Sequence, residues 1–329
     1  MPLKKLQTYV EAVKKSQCYN LLMSVENIIL TASSLVEVQK HIRANVNNGL
    51  VLWDQEKNRT RTECIDGMVY VFNYLPALAR KTLHTCQKGS GCFLCEADPA
   101  QTIVLSEPSK PKLRINNFPY HETQTMFSEK EHVPFLSRQT LIDSLSICNK
   151  YGLNCAFSTH NAGASFPEHA HVHMFSSEIP LYNLPVMWRG SSPVRTGTLP
   201  DYPASILVIE GKQATLVADQ LLCLLEGIES NLFGYNLQYC SKSNRLFLFP
   251  RRTDRCSVFD GAIFGAPTVS GVFTPDARGY VGKSIEEAIL LIEKRYGEIN
   301  GRLMQQAIQE LIFPKEFNLD VIVPNLRQP

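Results

Sequence analysis

Three histidines occupy alternate positions in the segment His169-Ala170-His171-Val172-His173. The chain has eight histidines in all, so three of them fall within five residues. Alternation is the period of a β-strand, which predicts that the three imidazoles project from one face while the residues between them pack on the other. Neutral imidazole can attack phosphorus or bind a metal ion. The segment therefore predicts a row of nucleophiles or ligands, with a stray histidine-rich tract or a simple metal site as alternatives.

A loop of small residues precedes the histidines, Asn161-Ala162-Gly163-Ala164-Ser165-Phe166-Pro167-Glu168. Small side chains let the backbone approach a ligand closely. Backbone N–H groups of this loop and the Ser165 hydroxyl could then bind phosphate oxygens, where negative charge develops in the transition state of phosphoryl transfer. Asn161 and Ser165 are equally typical of a turn without any ligand.

The histidine run resembles the histidine triad motif, and with Gly163-Ala164-Ser165 before it the chain is similar to the large transferase branch of that superfamily. This branch includes galactose phosphate uridylyltransferase, dinucleoside tetraphosphate phosphorylase and GDP-galactose phosphorylase. The resemblance covers about Tyr70 to Arg252. Three further stretches occur in the order found in that branch: Cys92-Phe93-Leu94-Cys95, Asn116-Asn117-Phe118-Pro119 and Phe247-Leu248-Phe249-Pro250-Arg251-Arg252.

The resemblance implies a covalent mechanism. The middle histidine of the triad, His171 here, would attack the α-phosphate of a nucleotide and carry the nucleotidyl group. Ser165 and Asn161 match the family's phosphate-contacting residues, and Gly163 and Ala164 would offer backbone N–H groups beside them. The substrate would be a nucleotide sugar or a dinucleoside polyphosphate, and the acceptor inorganic phosphate or a sugar phosphate.

The third triad position departs from that branch, which usually has glutamine where this chain has His173. Histidine is typical of the hydrolase and small nucleotide-binding branch. A histidine can protonate a leaving group, whereas glutamine can only form hydrogen bonds. The acceptor therefore stays open between phosphate, a sugar phosphate and water. A protein that binds nucleotides without turnover is a further alternative.

Cys92 and Cys95 form a Cys-x-x-Cys pair that could contribute two thiolates to a tetrahedral zinc site. The resemblance implies that His132 and His169 complete a structural zinc site, with His121 as a second candidate for the place given to His132. Two ordinary thiols are the alternative. A redox role is disfavoured because no thioredoxin-like pattern surrounds the pair.

Basic residues near these motifs are candidates for binding phosphate, because the planar guanidinium and the ammonium pair with phosphate oxygens. Solvated strand ends are the alternative for each of them. The predicted nucleotide-binding or phosphate-binding residues outside the loop are Lys110, Asn116, Arg251 and Arg252, with Lys112 and Arg114 also nearby.

Composition excludes several classes of protein. The 329 residues are 44% hydrophobic and 19% charged, with a net charge of +2, which is typical of a globular enzyme and does not favour bulk nucleic-acid binding. No apolar run approaches 18 residues, so a membrane span is not expected.

A polar N-terminus predicts a cytoplasmic protein, and the ten cysteines would then be reduced thiols or metal ligands. No P-loop or dinucleotide fingerprint is evident. A monomer and a homodimer are both compatible with the sequence.

The elements expected to position these residues predict an α+β fold: an antiparallel histidine-triad-like sheet with flanking helices, possibly as two related half-units. We divide the chain into an N-terminal helical region (1–66), a catalytic half with the Cys-x-x-Cys pair and the triad (67–200), and a C-terminal half with tail helices (201–329). The N-terminal helices are expected over Leu6–Met23 and Ser34–Ala44. Ser137 is predicted to begin a helix that Gly152 ends.

Overall fold

A computed structural model describes most of the chain, and the strands and helices that follow lie within that part. The described residues are 30–32, 34–47, 53, 57–78, 92, 94–95, 101–106, 111–117, 119–121, 123–164, 166–190, 193–228, 234–259, 262–275 and 283–315. The predicted helix over Leu6–Met23, Lys110 and Ser165 lie outside the described residues.

The strands in chain order are β1 Leu30–Ala32, β2 Arg59–Ile65, β3 Met68–Tyr74, β4 Thr102–Leu105, β5 Lys112–Ile115, β6 Thr125–Ser128, β7 Asn154–Ser158, β8 His171–Phe175, β9 Met187–Arg189, β10 Val194–Thr198, β11 Leu207–Gly211, β12 Gly234–Cys240, β13 Arg245–Arg251, β14 Arg255–Cys256, β15 Ala262–Ile263 and β16 Val272–Phe273. The helices are α1 Leu35–Asn47, α2 Arg138–Tyr151, α3 Ala214–Ile228, α4 Ala266–Val269, α5 Ile285–Glu298 and α6 Gly301–Leu311. None of the helices among the described residues is long and apolar enough to cross a membrane.

Within the described part, eleven strands form one large sheet in the order β1-β4-β5-β6-β8-β7-β12-β13-β11-β10-β9. Ten of them form two sets of the same design: β4 to β8 with helix α2, and β9 to β13 with helix α3. In each set three antiparallel strands, a helix and two more strands follow one another along the chain. The last strand of each set lies between the third and the fourth: β8 lies between β6 and β7, and β13 lies between β11 and β12. The sets meet at β7 and β12, where Ser158 lies opposite Asn236. The predicted α+β fold with two related half-units is confirmed.

The two sets of strands do not coincide with the boundaries expected from the sequence. The second set begins with β9 at Met187, because β9 and β10 pair with each other and β10 pairs with β11. The sequence predicts no strand here, and the residues of both strands fall within the expected catalytic half, 67–200. The long stretch rich in proline and glycine before Pro203 concealed them.

The expected helical character of residues 1–66 holds for α1 but is wrong for β2. Strands β2 and β3 form an antiparallel hairpin in which Ile65 lies opposite Met68. Asp66 and Gly67 connect them with φ of 51° and 79°. Two successive positive φ angles are typical of a type I′ turn, for which Asp-Gly is a favoured sequence. This turn signal identifies the hairpin that the sequence analysis missed.

Two hydrophobic cores cover the two faces of the large sheet. On one face α1, α2 and α3 pack against residues such as Val172 of β8 and Leu248 of β13. On the opposite face the small sheet β16-β3-β2 and α6 pack against Phe247 and Phe249 of β13. Because side chains alternate along β8, His171 and His173 project from the face opposite the three helices.

Helix α2 forms where the sequence predicted it. The Ser137 side chain accepts a hydrogen bond from the Thr140 N–H at 3.1 Å and so caps the first turn. Gly152 ends the helix with a φ of 64°, a left-handed conformation that glycine adopts at little cost. The two ends place the buried side of α2 against β7, the strand that leads into the small-residue loop.

Leu145 of α2 is completely buried in the core between the helices and the sheet. We expect Leu145→Ala to lower the free energy of unfolding by about 2–5 kcal/mol, because the substitution removes apolar contacts and leaves a cavity. Urea denaturation followed by circular dichroism measures this change. Leu290→Ala on α5 is the matched control, since 65% of Leu290 is exposed, and an equal loss in both variants would contradict the packing described.

Candidate functional site

Strand β8 carries two of the three histidines side by side. His171 and His173 belong to the same face, and their ring centroids lie 4.9 Å apart in an edge-to-face arrangement. β8 runs between β6 and β7, with Ser128 opposite His171 and Ala156 opposite His173. On the β6 side, Met126 lies opposite His173, so both imidazoles belong to residues paired within the sheet.

His169 precedes the strand and has different surroundings from the other two. Its ring centroid lies 4.9 Å from that of His132, and its Nδ1 lies 3.3 Å from Cys92 Sγ. The prediction of one row of three imidazoles therefore holds for His171 and His173, whereas His169 belongs to a separate cluster.

Cys92, Cys95, His132 and His169 form this cluster, with their ligand atoms all within 4.8 Å of one another. Cys95 Sγ lies 3.3 Å from His132 Nδ1 and 3.4 Å from His169 Nδ1. A sulfur and a nitrogen bound to one tetrahedral ion at about 2.3 and 2.1 Å would lie roughly 3.6 Å apart. The four side chains could therefore hold a metal ion.

Surrounding groups orient the cluster. The His169 Nε2–H donates to the Glu129 carbonyl at 2.9 Å, which leaves the lone pair of Nδ1 directed at the two sulfurs. Arg114 is buried, and its guanidinium donates to the Leu94 carbonyl at 3.2 Å. Arg114 thus contacts the turn between the two cysteines, a placement that differs from the phosphate contact considered in the sequence analysis.

His121, the second candidate ligand, lies elsewhere. Its ring stacks on Phe175 with a centroid separation of 4.4 Å. Burial lowers the pKa of His121 to about 4, so the imidazole is neutral near pH 7. The structure brings His132 to the cysteines, and the alternative ligand His121 is wrong.

The orientation of the His171 ring is determined by the backbone. Its Nδ1 lies 2.9 Å from the carbonyl oxygen of His169. A carbonyl oxygen only accepts hydrogen bonds, so Nδ1 carries the proton and Nε2 has the lone pair. The residue is 4% exposed, with the ring of Phe166 edge-on at a centroid distance of 5.7 Å. His171 is therefore held as the tautomer in which Nε2 can act as a nucleophile.

The small-residue loop leaves β7 through one turn of 3₁₀ helix at His160–Ala162. Gly163 follows with a φ of 83°, and a Cβ at this position would lie 2.2 Å from the carbonyl oxygen of Phe264. Only glycine fits this contact. Asn161 is exposed and Ala164 is half-buried, so both are accessible to a ligand at the loop surface.

The prediction that Arg251 binds phosphate is wrong. Its side chain is completely buried and donates four hydrogen bonds to protein oxygens. Two go to the Thr253 carbonyl, one to Asn236 Oδ1 at 2.5 Å and one to the Phe264 carbonyl at 3.0 Å. Sequence alone does not distinguish a solvent-facing arginine at a strand end from one that later elements cover.

Arg251 supports the small-residue loop through two intermediate residues, Asn236 and Phe264. Asn236, which accepts from Arg251, donates through Nδ2 to the Ala162 carbonyl at 2.8 Å. The Phe264 carbonyl, the other acceptor, is the atom against which Gly163 packs. Two chains of contacts thus connect one guanidinium to two successive residues of the loop, a role for Arg251 and Asn236 that the sequence analysis missed.

Two other residues predicted to bind phosphate, Arg252 and Asn116, lie in different surroundings, one exposed and one buried. Arg252 is exposed, and its backbone N–H donates to the Leu311 carbonyl of α6. Asn116 is buried, and its N–H donates to the carbonyl of Gln124, the residue before β6. Gln124 Nε2 in turn lies 2.7 Å from His173 Nδ1. Gln124 was missed as well, because no spacing in the sequence connects it to a residue 49 positions away.

We expect Arg251→Met to lower the free energy of unfolding by roughly 3 kcal/mol or more, since each buried acceptor left without a donor costs about 1–3 kcal/mol. Urea denaturation measures the change. Arg252→Met is the matched control at the neighbouring, exposed position and should change stability by no more than about 0.5 kcal/mol. A loss at Arg251 as small as that of the control would contradict the supporting role.

Comparison with known proteins gives no match to a family model and no match to a curated protein. Solved structures do match. The crystal structure of yeast Ap4A phosphorylase Apa2 in complex with AMP superposes with a TM-score of 0.61 at 13% identity, covering 86% of this chain and 97% of that one. The same enzyme in complex with Ap4A gives 0.58 at 13% identity, covering 84% and 97%. A further crystal structure of yeast Ap4A phosphorylase Apa2 gives a TM-score of 0.60 at 11% identity, covering 84% of this chain and 96% of that one. The chain therefore has the fold of this phosphorylase over most of its length, in agreement with the histidine-triad-like fold predicted from the sequence.

Proposed function

We propose that the chain is a nucleotidyltransferase of the phosphorylase type, with His171 as the nucleophile. One observation carries the proposal: the His169 carbonyl holds Nδ1–H of His171 and leaves Nε2 unprotonated. An imidazole fixed in this way can attack phosphorus without first losing a proton. The likeness in fold to a phosphorylase that binds AMP and Ap4A supports a nucleotide as the substrate.

In the first step the Nε2 lone pair of His171 attacks the α-phosphorus of a nucleotide sugar or dinucleoside polyphosphate. The bond from phosphorus to the bridging oxygen breaks, and the leaving phosphate takes the electron pair. In the second step an oxygen of inorganic phosphate or a sugar phosphate attacks the same phosphorus. The N–P bond then breaks, and the lone pair returns to Nε2.

The loop 159–166 would bind the α-phosphate during both steps. Gly163 and Ala164 offer backbone N–H groups, Asn161 an exposed amide and Ser165 a hydroxyl. Groups held in place before reaction stabilise the charge that develops on phosphate oxygens most effectively. The close fit of Gly163 against Phe264 and the bond from Asn236 to the Ala162 carbonyl hold these two successive residues of the loop in place.

We further propose that Cys92, Cys95, His132 and His169 bind one zinc ion with a structural role. Two thiolates and two imidazoles are a typical zinc ligand set, and four protein ligands leave no open coordination position. The ion would connect the Cys-x-x-Cys turn to His169, the residue whose carbonyl holds His171. In this way a metal ion outside the reaction would stabilise the orientation of the nucleophile.

Brief incubation with a mixed pool of nucleotide sugars and dinucleoside polyphosphates should give an acid-labile nucleotidyl adduct, visible by mass spectrometry of the intact protein. We expect His171→Ala to abolish the adduct, because the substitution removes the nitrogen to which the nucleotidyl group would be bonded. His41→Ala is the control, since α1 packs on the opposite face of the sheet.

The fate of the adduct distinguishes the candidate functions. If the nucleotidyl group leaves the protein faster when phosphate is added, the result supports the phosphorylase function. Equal discharge with and without phosphate would identify a hydrolase instead. Nucleotide binding without any adduct would contradict both enzymes and leave a nucleotide-binding protein.

Purified protein should contain one equivalent of zinc, measured by plasma mass spectrometry. We expect Cys95→Ser to lose most of the metal and to lower the melting temperature, because one thiolate of the tetrahedron is removed. Cys64→Ser is the matched control, since Cys64 is also exposed but lies on β2, outside the cluster. Equal zinc content in both variants would rule out the proposed ligand set.

A further inference from the structure

Gln124 determines which nitrogen of His173 carries the proton. The amide orientation of Gln124 follows from a donor that cannot be exchanged: the backbone N–H of Tyr120 points at Oε1 from 2.6 Å. A backbone N–H only donates, so this atom of the amide is its oxygen. The other amide atom, facing His173, is therefore nitrogen.

The Gln124 amide nitrogen lies 2.7 Å from His173 Nδ1. An amide nitrogen only donates, so Nδ1 of His173 accepts and has no proton in the neutral ring. The proton of neutral His173 is consequently on Nε2. Protonation of the ring at Nδ1 would set two N–H groups against each other and break this bond.

The surroundings of Gln124 make this arrangement rigid. The residue is 2% exposed, and its backbone N–H donates to the His121 carbonyl at 3.1 Å. It directly precedes β6, where Met126 pairs with His173 itself. Rotation of the amide would break both side-chain bonds in a buried environment, where an unsatisfied polar group costs about 1–3 kcal/mol.

His171 and His173 thus have opposite tautomers on one strand face. A backbone carbonyl holds the proton of His171 on Nδ1, and an amide N–H holds the proton of His173 on Nε2. One ring offers a lone pair through Nε2, and its neighbour offers a hydrogen-bond donor through Nε2. Chemically, the donor of His173 resembles the N–H of a glutamine side chain.

We propose that Gln124 is a positioning residue that holds His173 as a neutral Nε2–H donor and thereby selects an oxyanion acceptor over water. This inference rests on the proposed function. Water must lose a proton to attack a nucleotidyl-histidine, and a ring with its Nε2 protonated and its Nδ1 occupied cannot take it. An oxygen of inorganic phosphate or of a sugar phosphate is already largely ionised near neutral pH and needs no base.

The tautomer is tested directly in the unmodified protein. Long-range ¹H–¹⁵N NMR correlations distinguish Nδ1–H from Nε2–H histidines, and the signals of His173 are those absent from His173→Gln. We expect the Nε2–H form in the full chain and the Nδ1–H form in Gln124→Glu, whose carboxylate accepts from both Tyr120 and His173. An Nδ1–H tautomer in the wild type would overturn the inference, whatever the enzyme does.

Discharge of the nucleotidyl adduct tests the choice of acceptor. His173→Gln keeps a donor at this place and should retain the wild-type ratio of phosphate to water discharge within about threefold. Gln124→Glu makes Nε2 of His173 a base, so the ratio should fall at least tenfold, in line with the ~10²–10⁴-fold effects of general acid–base groups.

The double variant separates positioning from a general loss of structure. Gln124→Glu should have less than about a threefold effect on the ratio when His173 is already glutamine, because the carboxylate then has no imidazole to reorient. The same fall in both backgrounds would overturn the inference and assign Gln124 a merely structural role. Failure to form any adduct would refute the proposed function, and the NMR result would stand independently of it.

Discussion

The hydrogen bond from His171 Nδ1–H to the His169 carbonyl is the interaction on which the site depends. His169 uses its ring and its carbonyl for different purposes: Nδ1 faces two cysteine sulfurs, Nε2–H donates to the Glu129 carbonyl, and the carbonyl oxygen orients the His171 ring. A movement of His169 would therefore change the hydrogen bond that orients the His171 imidazole two residues away. The large sheet supplies the rigidity, because β8 is paired on both sides.

Local periodicity explains which parts of the site were predictable. Alternating residues placed His171 and His173 on one face of β8 correctly, since the period of a strand is a property of neighbouring residues. The caps of α2 at Ser137 and Gly152 were predictable for the same reason. The grouping of Cys92, Cys95, His132 and His169 came from a family resemblance, because no local pattern connects residues 77 positions apart.

The sequence predictions failed for residues whose role depends on contacts with distant parts of the chain. Arg251 looked like a phosphate ligand at a strand end, but the Phe264 segment and α6 cover that end and bury the guanidinium. Gln124 was overlooked because its importance comes from a contact with a distant strand. The β2–β3 hairpin was different: its Asp66-Gly67 turn was readable in the sequence, but the charged residues of β2 concealed the alternation.

The two sets of strands differ in what their last strand presents on the same face of the sheet. β8 presents His171 and His173, whereas β13 presents Phe247, Phe249 and Arg251, all buried. In a symmetric dimer every substitution appears twice, on both sides of the twofold axis. In two tandem units of one chain, a substitution changes only the unit in which it occurs. One unit can therefore carry apolar and supporting side chains where the other carries histidines, and Asn236 and Arg251 hold the loop that belongs to the neighbouring unit. The covalent link also makes the meeting of β7 and β12 independent of protein concentration, so the asymmetric pair stays assembled at any dilution.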